Sequence, residues 1–175
     1  MNEFFLIKPD IKYADQIAEY RNEFITSGDS MDGTGMLRQT DNPSEYIKLC
    51  RDYEIPEKTP SHLVPATQFI LICKSNDRVL GMLQVRHCLN DYLEKFGGHI
   101  GYSVRPSERR KGYAKIMLAM ALPFCKEIGL DKVLITCISG NEGSEKTILA
   151  NGGTYESTVY EPDYNADLKR FWITL

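Results

Sequence analysis

Between Tyr102 and Ala114 the chain reads Tyr-Ser-Val-Arg-Pro-Ser-Glu-Arg-Arg-Lys-Gly-Tyr-Ala, and this junction constrains the fold more than any other segment. An apolar strand ends at Val104, a short polar loop follows, and a helix opens directly through Gly112. A helix N-terminus leaves about four backbone N–H groups unpaired and carries roughly half a positive charge. Glycine at that point lets an anion approach the main chain, and Arg109, Arg110 and Lys111 add formal charge beside it. Two readings follow from the residues alone: an anion cradle suited to a pyrophosphate, or a solvated basic helix start. The segment is neither G-x-x-x-x-G-K-[ST] nor G-x-G-x-x-G, which argues against nucleoside-triphosphate, nicotinamide and flavin sites.

The flanking chain predicts a mixed α/β fold. Phe4–Ile7 reads as a strand ended by Pro9, and Asp10 caps a helix to about Phe24 with Ile11, Ala14, Ile17, Ala18, Arg21 and Phe24 on one face. Ser27–Asn42 reads as a loop, Pro43–Tyr53 as a short helix and Glu54–Ala66 as irregular. Gln68–Lys74 and Val79–His87 form a hairpin, and His99–Val104 follows Gly97-Gly98. Then come a helix over 111–128, a strand over Val133–Cys137, a helix over Glu142–Ala150, and strands over Tyr155–Tyr160 and Lys169–Thr174. The order β-α-α-β-β-β-α-β-α-β-β, with no repeat or linker, predicts one domain spanning residues 1–175. Pro123 lies inside the long helix and predicts a kink.

Composition narrows the function classes. Lys and Arg number 21 against 24 Asp and Glu, a formal charge of −3, which argues against a general nucleic-acid binder. The longest apolar run, Ile116–Leu122, is far short of the ~20 residues of a membrane span. The segment M-N-E-F-F-L-I-K-P carries Glu3 and no long apolar stretch, so it does not read as a secretory leader. The expectation is a soluble cytoplasmic protein with no membrane partner. Cys50, Cys73, Cys88, Cys125 and Cys137 are scattered without a C-x-x-C pair and read as core. His62, His87 and His99 are too separated for a metal cluster, so no metal is expected.

The run Arg109-Arg110-Lys111-Gly112-Tyr113-Ala114 resembles the [RQ]-x-x-G-x-[GA] signature of the GNAT superfamily of N-acetyltransferases. The longer block G-H-I-G-Y-S-V-R-P-S-E-R-R-K-G-Y-A is similar to a bacterial branch of predicted acetyltransferases, and Asn141, Ser144 and Gly152-Gly153 continue the match. The resemblance covers about Thr67 to Tyr160. It implies a mixed, largely antiparallel central sheet flanked by helices, with two parallel strands that splay apart to admit acetyl-CoA as co-substrate. It also implies that the main chain at Ser103 and Val104 pairs with the pantetheine arm. Main-chain N–H groups of Arg110, Lys111, Gly112, Tyr113 and Ala114 would hold the pyrophosphate, assisted by Arg109, with Asn141 touching the cofactor.

The implied reaction is transfer of an acetyl group to a primary amine by direct attack; a non-catalytic acyl-CoA sensor is the alternative reading. Ile148 stands where many members carry a thiolate-protonating tyrosine. The candidate catalytic residues are therefore His99, as base or as a buried structural histidine, and Tyr102, as thiolate donor or as packing. His87 is a weaker candidate of the same kind, and Arg86 beside it reads as an ion-pair or loop-orienting residue. The expected partner is a small-molecule amine, and the resemblance admits a homodimer. Asp29, Asp32, Asp41, Glu54 and Glu57 in the two N-terminal loops favour a cationic acceptor.

Overall fold

The computed structural model describes residues 3–175; Met1 and Asn2, which open the segment read above for a leader, lie outside the described residues. Two antiparallel sheets make up the centre. The first has the order β1 (Phe4–Ile7), β2 (Ala66–Cys73), β3 (Arg78–Arg86), β4 (Ile100–Val104). The second has the order β5 (Lys132–Ile138), β7 (Ala166–Thr174), β6 (Thr154–Glu161). Helices α1 (Ala14–Ser27) and α2 (Pro43–Asp52) lie on one side of the first sheet, and α3 (Tyr113–Glu127) lies on the other. Helix α4 (Glu142–Leu149) adds Ile148 to the α3 side. This is the mixed, helix-flanked arrangement expected from the element order.

Strands β2 and β3 are buried along nearly their whole length because both faces are covered. Successive residues alternate between two cores, as a strand's period of two requires. Leu71, Leu83 and Val85 pack with Met117, Leu118 and Phe171, whereas Ile70, Ile72 and Met82 pack with Ile17, Tyr20 and Tyr46. Pro123 sits within α3 beside the buried Cys125 and Ala121.

The first helix departs from the sequence-predicted face. Asp10 Oδ1 accepts the Lys12 N–H at 3.0 Å, which caps a 3-10 turn over Ile11–Tyr13, so the α-helical phase begins only at Ala14. The buried face is therefore Tyr13, Ile17, Tyr20 and Phe24, and Ile11 is exposed. Arg21 lies at the edge and donates to the Leu37 and Arg38 carbonyls.

Among the described residues, the backbones of the two sheets are joined at one place. Gly98 forms an isolated bridge with Ile135, and the His99 N–H donates to the Leu134 carbonyl at 2.7 Å. The His99 ring completes the fastening, with Nδ1 accepting the Leu134 N–H at 2.9 Å. Beyond that point no ladder joins β4 to β5 among the described residues, and the bridge itself is antiparallel, so the two strands belong to separate sheets with no parallel pairing between them. His99 is 7% exposed, and burial together with the nearby Arg86 guanidinium pulls its pKa down to about 4.

This histidine carries a prediction. A folded-state pKa below the unfolded value of about 6.5 means the unfolded chain binds the extra proton. The corresponding stability, up to about 3 kcal/mol, is complete above pH 6.5 and is lost as pH falls towards 4. His99→Phe should flatten the fall of Tm between pH 6.5 and 4, and orphaning the Leu134 N–H should lower Tm at neutral pH by the equivalent of about 1–3 kcal/mol. An unchanged acid slope in the variant would contradict this role.

Candidate active site: the gap between β4 and β5

Helix α3 begins at the open side of the gap. Gly112 is its N-cap residue with φ +83°, no side chain caps the helix, and a Cβ built on Gly112 would meet nothing within 4 Å. Arg110 also adopts a positive φ, +63°. The N–H groups of residues 110 to 115 have no hydrogen-bond acceptor among the described residues. A run of free main-chain donors over open space, at the positive end of a helix dipole, is an anion-binding nest. Arg110, Lys111, Gly112, Tyr113 and Ala114 are the residues whose main chain the resemblance assigns to the pyrophosphate.

The surrounding cations divide differently from the sequence expectation. Arg109 lies at the cradle, where Nε donates to the Val104 carbonyl at 3.2 Å and Nη1 pairs with Asp29 at 2.8 Å. Lys111 pairs with Glu108 at 2.7 Å. Arg105, which in sequence belongs to the same basic cluster, is 1% exposed and points away into the α1 side. There it contacts Glu23 at 3.1 Å, Glu19 at 3.6 Å and the Gln16 carbonyl at 3.1 Å. Its role is to fasten β4 to α1.

Alternation along β4 decides which main-chain groups face the gap. The Arg105 N–H donates to Leu80, and the His99 carbonyl accepts from Arg86, so odd-numbered residues are turned towards β3. Ser103 shares that parity and pairs with Met82, and its carbonyl also accepts the Tyr20 hydroxyl at 2.9 Å. Its main chain is therefore committed inward, a correction to its expected pairing role. Tyr102 and Val104 turn their N–H and C=O groups to the open edge, where the Val104 carbonyl already accepts the Arg109 Nε–H.

Tyr102 also spans the gap with its side chain. Its hydroxyl lies 2.8 Å from Ser144 Oγ on α4, and burial raises its pKa well above that of a free phenol. Asn141 Oδ1 accepts the Ser144 N–H at 3.1 Å and so caps α4. Ile148 is fully buried in the core. His99, the other catalytic candidate, has its Nδ1 lone pair occupied by Leu134, which leaves the proton on Nε2 and no acceptor for a substrate proton. His87 Nε2 is likewise engaged, with Thr67 Oγ1 at 2.9 Å.

Residues 28 to 42 cover the opposite face of β4. A Cβ on Gly33 would lie 2.1 Å from the Gly101 carbonyl oxygen, so this loop touches the strand backbone where only glycine fits. Ser103 Oγ donates to the Asp32 carbonyl at 2.6 Å, and Gln68 Nε2 donates to the Gly33 carbonyl at 2.8 Å. The acids expected to attract a cation are largely engaged within the protein. Asp29 binds Arg109, Asp41 binds Arg21, Glu54 binds Lys8 at 2.5 Å, and Asp32 accepts the Ser30 hydroxyl at 2.7 Å. No group of three or more metal-ligating side chains occurs among the described residues, and none of their helices is long and apolar enough to cross a membrane.

Residues 35–150 match the model of the acetyltransferase (GNAT) family. No curated protein matches the chain. Among solved structures, the chain is similar to the ribosomal-protein-S5-alanine acetyltransferase of Vibrio fischeri, with TM-score 0.71 and 18% identity over 99% of this chain and 94% of that one. It is similar to the microcin C7 self-immunity acetyltransferase in complex with acetyl-CoA and AMP, with TM-score 0.70 and 18% identity over 100% and 94%. It also resembles a spermidine N-acetyltransferase chimera from Vibrio cholerae, with TM-score 0.68 and 14% identity over 99% and 96%. At these identities the likeness is one of fold.

The Arg109–Asp29 pair yields a prediction. Both side chains are about two-fifths exposed, so the pair is worth at most about 1 kcal/mol. Asp29→Asn frees Arg109 for an anion and should tighten acetyl-CoA binding by up to about fivefold in calorimetry. Weaker binding would show that Asp29 supports the cradle instead of competing for it.

Proposed function

The chain belongs to the GNAT acetyltransferase family, whose co-substrate is acetyl-CoA, and from that premise we propose that it moves an acetyl group to a primary amine by direct attack on the thioester. The observation that carries this reading is the run of unpartnered N–H groups at residues 110 to 115 beside the unpaired edge of β4. The residues fit the co-substrate chemically. The main chain of Arg110, Lys111, Gly112, Tyr113 and Ala114 would hold the pyrophosphate, with Arg109 exchanging Asp29 for a phosphate oxygen. Val104 and Tyr102 offer the edge groups that an extended amide-bearing arm needs, as an added strand would use them. Asn141 spends Oδ1 on its helix cap, so its amide N–H groups are the part left for the cofactor.

Acetyl-CoA supplies an activated acyl group and a thiolate leaving group. The chain's own residues orient the acceptor and stabilise the charge that develops. A lysine-like amine is mostly protonated at pH 7, and reaching its neutral form costs about 4–5 kcal/mol. The neutral amine forms the new C–N bond as the C–S bond breaks, and its surplus proton passes to solvent. Tyr102 keeps its proton throughout the working pH range because burial raises its pKa. It therefore acts as a hydrogen-bond donor towards the leaving sulfur, taking the place of the tyrosine that Ile148 replaces. This use of Tyr102 requires its hydroxyl to swing from Ser144 by a small rotation. His99 is left to its structural task.

Two measurements test the proposal. Acetyl-CoA should raise Tm, and free CoA thiol should appear when amines are added; no shift at millimolar acetyl-CoA would sink it. Tyr102→Phe should lower kcat by about 10²-fold with acetyl-CoA affinity unchanged, and an unaltered kcat would remove the residue from the mechanism. Separately, Gly112→Glu should weaken acetyl-CoA binding more than 100-fold by placing a carboxylate in the cradle. Its effect on Tm should stay small, since the Cβ meets open space and only the positive φ resists it, at about 1–2 kcal/mol. Retained affinity would show that the anion binds elsewhere.

A further inference from the structure

Five consecutive carbonyls, from Glu94 to Gly98, are each held by a side chain where the two sheets join. They belong to a single wide helical turn over Leu93–Gly97 and to the glycine that follows it, and such a short turn leaves its last carbonyls without helical partners. Arg170 Nη1 donates to the Glu94 and Lys95 carbonyls at 2.5 and 2.7 Å, and Thr136 Oγ1 donates to the Phe96 carbonyl at 2.7 Å. Arg86 Nη1 donates to the Gly97 and Gly98 carbonyls at 3.1 and 2.9 Å. Thr136 and Arg170 stand on β5 and β7 of the second sheet, whereas Arg86 stands on β3 of the first. The turn is thus gripped from both sheets, and it leads straight into the Gly98–Ile135 bridge and the His99 fastening. A Cβ on Gly98 would lie 2.4 Å from the Leu134 carbonyl oxygen, so main chain rests on main chain there and no side-chain rotation can absorb a shift.

Arg86 is the grip that serves this turn alone. Arg170 also pairs with Glu156 at 2.6 Å, but Arg86 is half-buried with no carboxylate partner among the described residues. A guanidinium drawn from water without a counter-charge is costly unless its hydrogens are well placed, and both hydrogens of Nη1 go to the turn. The Arg86 main-chain N–H donates to the His99 carbonyl at 2.8 Å, so side chain and backbone together hold Gly97, Gly98 and His99. Of the ion-pair and loop-orienting roles open to Arg86 in the sequence, these contacts fit the second. On the function proposed above, the co-substrate's arm runs from the cradle past Val104 and Tyr102 towards this closed end. A strand rises about 3.3 Å per residue, so Tyr102 lies roughly 10 Å from His99, and a tilt of about 5° between β4 and β5 at the fastening moves facing groups there by roughly 1 Å. Hydrogen bonds tolerate a spread of only about 0.5 Å in donor–acceptor distance.

We propose that Arg86 is a positioning residue for the co-substrate. By holding the Gly97 and Gly98 carbonyls from the first sheet, against the grip of Thr136 and Arg170 from the second, it fixes how far β4 and β5 stand apart where the arm lies. It touches neither the arm nor the reacting atoms and acts through the turn. This rests on the acetyltransferase reading above, and the experiment keeps the two apart.

Wild type, Arg86→Ala and Arg86→Lys are compared by calorimetric titration with acetyl-CoA and by amide hydrogen exchange. Arg86→Ala should weaken acetyl-CoA binding at least about tenfold and quicken exchange at the His99 and Leu134 amides by a similar factor, with the core amides of Ile70 and Leu83 unchanged. Guanidinium ion at a sub-denaturing concentration can fill the space left and should restore both, while urea at the same concentration should not. Arg86→Lys keeps the charge on a side chain one atom shorter and should fall as far as Arg86→Ala; it carries the test where the alanine variant does not fold. Unchanged affinity, unchanged exchange at His99 and Leu134, faster exchange that extends to Ile70 and Leu83, no rescue by guanidinium, wild-type behaviour in Arg86→Lys, or loss of the fold in both variants would each overturn the assignment. A wild type that does not bind acetyl-CoA at millimolar concentration would instead overturn the proposed function, and exchange at Leu134 would still judge the hold of Arg86 on the turn.

Discussion

His99 fastens one sheet to the other with both its backbone and its ring, and the rest of the site depends on where that fastening stops. Its N–H and Nδ1 serve the carbonyl and N–H of Leu134, so β4 and β5 are fixed together at one point and unpaired beyond it. A strand edge left open in the middle of a protein exposes main-chain donors and acceptors that need a partner. On the function proposed above, that partner is the extended arm of the co-substrate. The helices that follow the two strands, α3 and α4, both begin beside this opening, and Tyr102 reaches across it to Ser144.

The first sheet is the rigid platform for this arrangement. Its central strands are buried on both faces, so β4 inherits a fixed position from β3 and from the α1 side, where Arg105 meets Glu19 and Glu23. The loop over residues 28 to 42 is pinned to the same strand by Gly33 and Asp32, and pinned to the cradle by Asp29 on Arg109. On the proposed function, the cofactor and acceptor sides thereby share one element. An anion that claims Arg109 releases Asp29, which gives the loop a reason to respond to the cofactor.

Features set by local chemistry were legible in the sequence. The strand–loop–helix junction, the glycine at the helix entrance and the start of α2 at Pro43 each depend on residues within a few positions. Features set by distant partners were not. Arg105 reads as one of four neighbouring cations, and only α1, more than 80 residues earlier, turns it inward. Ser103 looks equivalent to Val104 until the β3 register assigns its main chain to the ladder. The Tyr20 face of α1 was hidden by a 3-10 turn that delays the helical phase.

The most direct test of the central claim is to follow the backbone amides of ¹⁵N-labelled protein by NMR as acetyl-CoA is added. The account predicts that the largest shifts fall on residues 110 to 115 and on Tyr102 and Val104, with the amide of Leu134 at the His99 fastening nearly unmoved. Shifts that bypass residues 110 to 115, or that centre on the closed end of the gap, would contradict it.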